Sequence, residues 1–421
     1  MTKVTKKATF FILVIQHVFA MFGATVLVPI LVGIPVSLAL LSAGLGTLAF
    51  HALTKGKIPS FLGSSLVFVS PILLVLETHS LGYLKGGIIC TGLLYLFYAL
   101  LAKILGVKRI HSWFPPIVVG PLLISIGLKL VPTALKMCGY IPGAMNYQSL
   151  FLATVTIIIL VMLSMVQHSF FRMMPILFAI FGAYLIALFL GLVDLNIVQQ
   201  AQWFGLGKEA MNLLLTPPKF SWNTIFLLAP LSLVILTEHI DDIEHSGAVT
   251  GNNFMVDPGL HRTLLGDGVA TIMAGFLGGP GNVTYSENTS VLAVTKNYDP
   301  SILRGAAIVA ICMAFLGKLV AIIQSLPAAI TGAVSLILLG LIVVVGLNVL
   351  VETKLDLHTF RNMTIPALVI VIGTFISEVK ITSSVVIPGS FLAMFVGVAM
   401  NQIFLYEDKK YSQQIEDSRR S

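Results

Sequence analysis

The sequence predicts an all-α polytopic membrane protein, with about fourteen transmembrane segments in two inverted seven-span repeats. Three observations carry that prediction. The 421-residue chain is 57% hydrophobic and only 10% charged, where a soluble domain carries about 25% charged residues. Its basic residues gather at alternate connections between apolar runs. Polar residues recur at matched spacings in the two halves.

A bilayer core takes about 20 apolar residues per helix. Runs of that kind cover residues 9–32, 36–53, 60–77, 82–105, 113–131, 149–166 and 172–193 in the first half. The second half has 222–245, 261–278, 281–296, 302–325, 328–349, 363–378 and 384–405. The N-terminus, with Lys3, Lys6 and Lys7 before an apolar run, superficially resembles a signal peptide. Gln16-His17 interrupts that run and no cleavage-type motif closes it, so it reads as the first span. The third and tenth runs are polar and interrupted by Gly and Pro, which predicts broken spans. The 194–221 connection, with Trp203 and Pro217-Pro218, reads as extracytoplasmic. The tail after Tyr406 is short and charged, a composition that predicts disorder.

Lys55, Lys57, Lys103, Lys108, Arg109, Arg172, Arg262, Lys296, Arg304, Lys354, Arg361, Lys409 and Lys410 fall on one side of this topology, and Lys136, Lys208 and Lys219 on the other. The bias puts both termini in the cytoplasm. Scattered at helix ends, these charges form no nucleic-acid patch. Cys90, Cys138 and Cys312 lie in or beside separate apolar runs and suggest neither a disulfide framework nor a metal site.

The repeat shows when polar intruders are aligned. Gln16-His17 matches Glu238-His239. Gly44-Leu45-Gly46 follows His17 by 27 residues, as Gly266-Asp267-Gly268 follows His239. Ser65 lies 19 residues after Gly46, as Glu287 does after Gly268. An odd number of spans per half inverts the second half, and paired broken spans then point to a binding site. Those segments are Ser60–Pro71 and Pro280–Lys296.

The stretch GGPGNVTYSENTSVLAVTK (278–296) puts helix breakers and Glu287 at membrane depth. Non-helical backbone survives there only inside protein or beside a water-filled cavity. Glu238 lies near the end of an apolar helix. Its carboxylate could accept two N–H donors of a ligand, and could bind and release a proton, while Glu287 could hold another ligand edge. The competing readings are a structural acid for Glu238 and a helix-capping acid for Glu287, beside Asn288. Asp242 shares the Glu238 face at i+4 and reads as a proton partner or a hinge. Asp241 and Glu244 read as the solvated helix end. His17 and His239 read as hydrogen-bonded core histidines, Lys318 as a snorkelling end residue, and Asp267 as bound to backbone or hydroxyls of a neighbour. No nucleophile–base pair or metal cluster indicates an enzyme. Two acids in the site disfavour an anion exchanger.

The motifs QHVFAMFGATVLVP (16–29), KIPSFLGSSLVFVSP (57–71), FPPIVVG (114–120), TEH (237–239), DPGLHR (257–262), YSENTSVLAVTK (285–296) and GKLVAIIQSLP (317–327) occur in order along nearly the whole chain. In these the chain resembles the nucleobase–ascorbate transporters, most closely the bacterial uracil permeases. The resemblance implies a core domain from residues 1–110 and 222–326, a gate domain from 111–221 and 327–406, and a cytoplasmic tail over 407–421. It implies short strands in the two broken spans and an elevator-type motion. Glu238 and Glu287 would bind the base edges, amides near Ser65, Leu66 and Ser286 would meet its carbonyls, and Ala24 and Tyr285 would line its ring. Uptake would be coupled to a proton rather than sodium, through Glu238 with His17, His239, Asp242 and Asn288 behind it. No cofactor, metal or nucleic acid is implied. A homodimer in the bacterial cytoplasmic membrane is. The chain departs from the uracil pattern Glu-His-x-Gly-His at Asp241-Asp242, where it looks like the purine branch, yet Glu287 stands where that branch has Gln. Ser290 replaces a usual glycine and Leu66 a common Phe. Uracil is the expected cargo, with xanthine, hypoxanthine or guanine as the alternative.

Overall fold

Helix ends follow the turn residues that the sequence supplies. The computed structural model describes residues 3–106, 115–166, 175–228, 231–352, 356, 358–382 and 385–420. Helix α1 (Lys3–Val32) stops at Gly33, whose φ is +71°, and α2 (Val36–Leu53) starts after Pro35. At the end of α2 the Thr54 hydroxyl donates back to Phe50 O at 2.7 Å. The third run breaks into strand β1 (Leu62–Ser64), a 3₁₀ turn (Leu66–Phe68) and α3 (Val69–Thr78). Then come α4 (Leu81–Leu105), α5 (Pro116–Met137), α6 (Tyr147–Met165) and α7 (Pro175–Phe189). The long connection that follows folds into two short helices, α8 (Asn196–Gln200) and α9 (Lys208–Leu215).

The second half begins with α10 (Trp222–Leu228), α11 (Leu231–Thr250) and α12 (Leu260–Leu277). The tenth run holds strand β2 (Asn282–Thr284) and α13 (Ser286–Thr295). After it come α14 (Pro300–Ala314), α15 (Gly317–Gln324), α16 (Ala328–Glu352), α17 (Phe360–Phe375), strands β3 (Glu378–Thr382) and β4 (Val385–Pro388), and α18 (Gly389–Arg420). Among the described residues six helices are long and apolar enough to cross a bilayer, with shorter apolar helices beside them.

The chain forms two compact units. One comprises Met1–Val107 with Pro132–Ile337, the other Lys108–Val131 with Leu338–Ser421. In the first unit, α12 packs along α4 and α2, and α14 packs along α2. Small residues permit this. A carbon added at Gly92 would lie 2.8 Å from Gly268 O, so α4 and α12 touch backbone to backbone. A second core in this unit gathers Leu152, Ala183, Ala187, Ile330 and Ala333. In the second unit, α17 lies against α18, and Gly120 and Gly346 bring α5 and α16 together.

Five features differ from the sequence expectation. The run 302–325 is two helices, because the long connection inserts its backbone at the break. Gly205 N donates to Phe315 O at 2.8 Å and Gly317 N to Trp203 O at 3.1 Å. The β3–β4 pair takes the end of the run 363–378 and the start of the run 384–405. The residues after Tyr406 continue α18 as helix rather than disorder. Lys318 does not snorkel. Its Nζ donates to Val198 O (2.6 Å) and Gln199 O (2.9 Å) at the end of α8, and lies over the Trp203 ring. Asp267 meets a histidine rather than hydroxyls, as described below. Of the charges used to orient the chain, Lys108, Arg109, Arg172 and Lys354 lie outside the described residues. Outside the spans, Lys57 Nζ donates to Asp257 at 2.6 Å and holds that carboxyl below the usual carboxylate range.

Two more lysines repeat the Lys318 pattern. Lys129 Nζ donates to Ile376 O at 3.2 Å, beyond the end of α17. Lys85, 2% exposed, donates to Leu213 O (3.0 Å), Leu214 O (3.2 Å) and Thr216 O (2.7 Å) at the end of α9. An ammonium has three protons, and these carbonyls form the negative end of a helix. Lys85→Met should therefore lower the stability of the detergent-solubilised protein by about 1–3 kcal/mol, the cost of stranding buried carbonyls. Thermal unfolding measures it, and an unchanged midpoint would mean that the carbonyls have other partners.

Candidate functional site

Two short strands create the site. β1 and β2 pair antiparallel with Leu62 opposite Thr284, Gly63 opposite Val283 and Ser64 opposite Asn282. The pairing extends at both ends, with Ser65 N donating to Gly281 O (3.2 Å) and Tyr285 N to Phe61 O (3.0 Å). Side chains from the surrounding helices complete the ribbon's bonding. Leu62 N donates to Thr47 Oγ1 at 2.9 Å, Thr271 Oγ1 donates to Asn282 O at 2.8 Å, and Asn282 Nδ2 donates to Ser42 O at 2.9 Å. The ribbon is thus non-helical backbone sealed inside protein.

Each strand runs directly into a helix start. After Ser64 the chain enters the 3₁₀ turn and α3, with the Ser65 side chain accepting from Val67 N at 3.3 Å. After Thr284 it enters α13, with Tyr285 at the cap. Because the strands are antiparallel, the helices leave from opposite ends of the ribbon. Val67 N is taken by the Ser65 side chain and Glu287 N by its own carboxylate, and the remaining first-turn N–H groups make two positive poles beside one small region. The structural counterpart of Ser65 is therefore Tyr285, not Glu287 as the sequence spacing indicated.

The site has a more open front and a buried back. Ala24, Leu66, Glu238 and Asp242 are half-buried, and Ser286 and Glu287 are exposed. Glu238, Asp242 and Glu287 lie within electrostatic range of one another, so the two acids singled out in separate halves do come together. Among the described residues the Glu238 carboxylate has no hydrogen-bond partner in the protein, while that of Glu287 accepts from its own N–H. Asp242 is occupied. It accepts from Thr284 Oγ1 at 3.0 Å and from Ser286 Oγ, which fastens α11 to the β2–α13 junction. Asp241 and Glu244 are exposed, as expected of a solvated helix end.

The back layer is almost wholly buried. His239 Nε2 lies 2.8 Å from Thr263 Oγ1, and its Nδ1 lies 2.8 Å from Asp267 Oδ2, with both residues at zero exposure. Asn288 Nδ2 donates to His17 Nδ1 (3.1 Å) and His17 O (3.0 Å). An amide nitrogen only donates, so His17 Nδ1 accepts. Tyr285 is 5% exposed and belongs to this layer; its hydroxyl donates to Ser64 O at 2.7 Å and accepts from Thr25 Oγ1 at 3.0 Å. The sequence reading missed Thr25, Ser64, Thr263 and Thr284. For Thr25, Ser64 and Thr284 the one signal is a hydroxyl beside a candidate site residue, as in Ala24-Thr25 and Thr284-Tyr285, and Thr263 has no such neighbour. Among the described residues no cluster of His, Cys, Asp and Glu could hold a metal.

The arrangement suits a small neutral molecule with hydrogen-bond donors and acceptors on its rim. Carboxylates take the donors and helix-start amides take the acceptors. Comparison with known proteins agrees. The model of the Permease family, that of the nucleobase–ascorbate transporters, matches residues 8–382, and the chain belongs to this family. It is 40% identical over 390 residues to the uracil permease of Bacillus caldolyticus, spanning 92% of this chain and 90% of that one. Identity is 39% to the uracil permease of Bacillus subtilis (92% and 91% covered) and 36% to that of Escherichia coli K12 (93% and 90%). These relatives are permeases, so the chain is an integral membrane transporter and not an enzyme. Among solved structures, the transmembrane domain of a cyanobacterial bicarbonate transporter, BicA, has a TM-score of 0.62 at 17% identity, covering 90% of this chain and 97% of that one. The structure of SLC26A9 has a TM-score of 0.70 at 11% identity, covering 96% of this chain and 66% of that one. These two likenesses concern the fold alone.

Asp242→Ala removes the acceptor of two hydroxyls. It should lower thermal stability by about 1–3 kcal/mol. Thr284→Val should cost less, and the double variant less than the sum, because both touch one interaction. Melting curves of the four proteins give the cycle. Strict additivity would show that Asp242 and Thr284 are not coupled.

Proposed function

We propose that the protein imports uracil across the bacterial cytoplasmic membrane together with a proton. The observation that carries this reading is that Glu238 and Glu287, from separate halves of the chain, meet beside two helix starts in a chain about 40% identical to uracil permeases. Uracil offers two N–H groups and two carbonyls on a flat ring. Glu238 accepts from N–H, and the amides at Leu66 and Ser286 donate to the carbonyls. Glu287 holds a second edge, and Ala24 lies against the ring. Ser65 caps the turn that aims the Leu66 amide. Glu238 also carries the coupled proton, since a carboxylate with no hydrogen-bond partner among the described residues can take one up without breaking a bond. Behind it, the His239–Asp267 and His17–Asn288 contacts and the anchored Asp242 fix the helices that bear the acids.

In this reading the chain has fourteen spans in two inverted repeats and works by alternating access. A core moves against a gate like an elevator, in a homodimer with both termini cytoplasmic. Asp242 is the feature that resembles purine carriers, but its oxygens already serve Thr284 and Ser286. It is therefore a poor candidate for reading the base, and the reading stays with uracil.

In cells lacking their own permease, expression of this chain should confer uptake of radiolabelled uracil. Unlabelled uracil should compete and xanthine should not. Glu238→Gln and Glu287→Ala should each reduce uptake to background. A protonophore should collapse accumulation, with acid outside favouring it. Wild-type uptake in either variant would remove that residue from the site. Uphill uptake that persists with the protonophore and requires sodium would replace the proton.

A further inference from the structure

We propose that the Tyr285 hydroxyl is a cross-brace that sets the spacing between the two helix starts, so that this hydroxyl governs substrate affinity by placing the amides rather than by bonding to substrate itself. The kinetic part rests on the transport reading above. Tyr285 is the last residue before α13, and Ser64 is the last residue of β1. One hydrogen bond of 2.7 Å from the Tyr285 hydroxyl to Ser64 O therefore joins the two points at which the ribbon becomes helix. The hydroxyl has a single proton, spent on Ser64, and it receives its second bond from Thr25 Oγ1. The chain Thr25 to Tyr285 to Ser64 thus runs in one direction. It also ties in α1 next to Ala24, at the front of the site.

The surroundings are shaped for this contact. A carbon added at Gly63 would fall 2.6 Å from the Tyr285 Cζ and hydroxyl, so glycine makes room for the ring across the strand. The Tyr285 ring is buried behind the ribbon, while Leu66 and Ser286, whose amides it spaces, are not. A two-stranded ribbon of three residues is too short to hold its own geometry. The brace supplies what the ladder lacks. It acts on both amide poles at once, so loosening it blurs the donor positions without removing a donor. Affinity suffers, and the moving parts do not.

The test is Tyr285→Phe, which keeps the ring and removes one oxygen. In uracil uptake its KM should rise about three- to tenfold, the scale of one net hydrogen bond, with Vmax within about twofold of wild type. Thr25→Val should do the same, and the double variant should be no worse than the more affected single one, because both break one chain. In purified protein without ligand, hydrogen exchange of amides 62–66 and 282–287 should be faster in Tyr285→Phe. An unchanged KM in a protein that transports, a loss of Vmax at constant KM, or additive effects of the two variants would overturn the proposal. So would unchanged exchange. Faster exchange in a protein whose wild type takes up no uracil would uphold the brace and refute the transport reading.

Discussion

Everything in the site depends on peptide groups that leave the helix midway through an apolar chain. A bare N–H or C=O in hydrocarbon costs several kcal/mol, so the ribbon at Leu62–Ser64 and Asn282–Thr284 exists only because each strand satisfies the other and hydroxyls and amides satisfy the rest. Thr47 and Thr271 do this work from α2 and α12, and the Asn282 side chain ties the ribbon to α2 through Ser42 O. The reward is geometric. An antiparallel ribbon so short delivers two helix N-termini to one place from opposite directions. No continuous helix could present amide donors there.

The acids follow from the same constraint. Positive helix ends favour negative partners, and Glu287 occupies the first turn of α13. Glu238 arrives from α11, held in place by Asp242 on the hydroxyls of Thr284 and Ser286. Behind them His239 with Asp267, and His17 with Asn288, fill the interior with paired polar groups. That pairing is incomplete, since His17 Nε2, Asn288 Oδ1 and Asp267 Oδ1 have no hydrogen-bond partner among the described residues, and what sets the front apart is its exposure. Glu238, without a hydrogen-bond partner among the described residues, belongs to the front. Tyr285, with two partners, belongs to the back.

Much of this could be read in the chain. Helix α2 has the bounds of its apolar run, because Pro35 and the Thr54 turn mark its ends. Glycine and proline gave away both broken spans, and isolated acids gave away Glu238 and Glu287. What was hidden depends on partners distant in sequence. The Ser65 and Tyr285 equivalence comes from strand register, not from spacing. Lys85, Lys129 and Lys318 look like stray charges until the carbonyl ends that receive them are known. The break before Gly317 requires the backbone of Trp203 and Gly205, far away in the chain. Periodicity reports burial along one helix, and none of these contacts lies along one helix.

The central claim is that one ribbon, two helix starts and two acids make a single pocket for a neutral base. The most direct measurement is a structure of the protein with uracil bound. The account predicts the base at the ribbon, with a ring N–H on the Glu238 carboxylate and a ring carbonyl on an amide at the start of α13. Uracil bound elsewhere, or at the ribbon with neither contact, would contradict it.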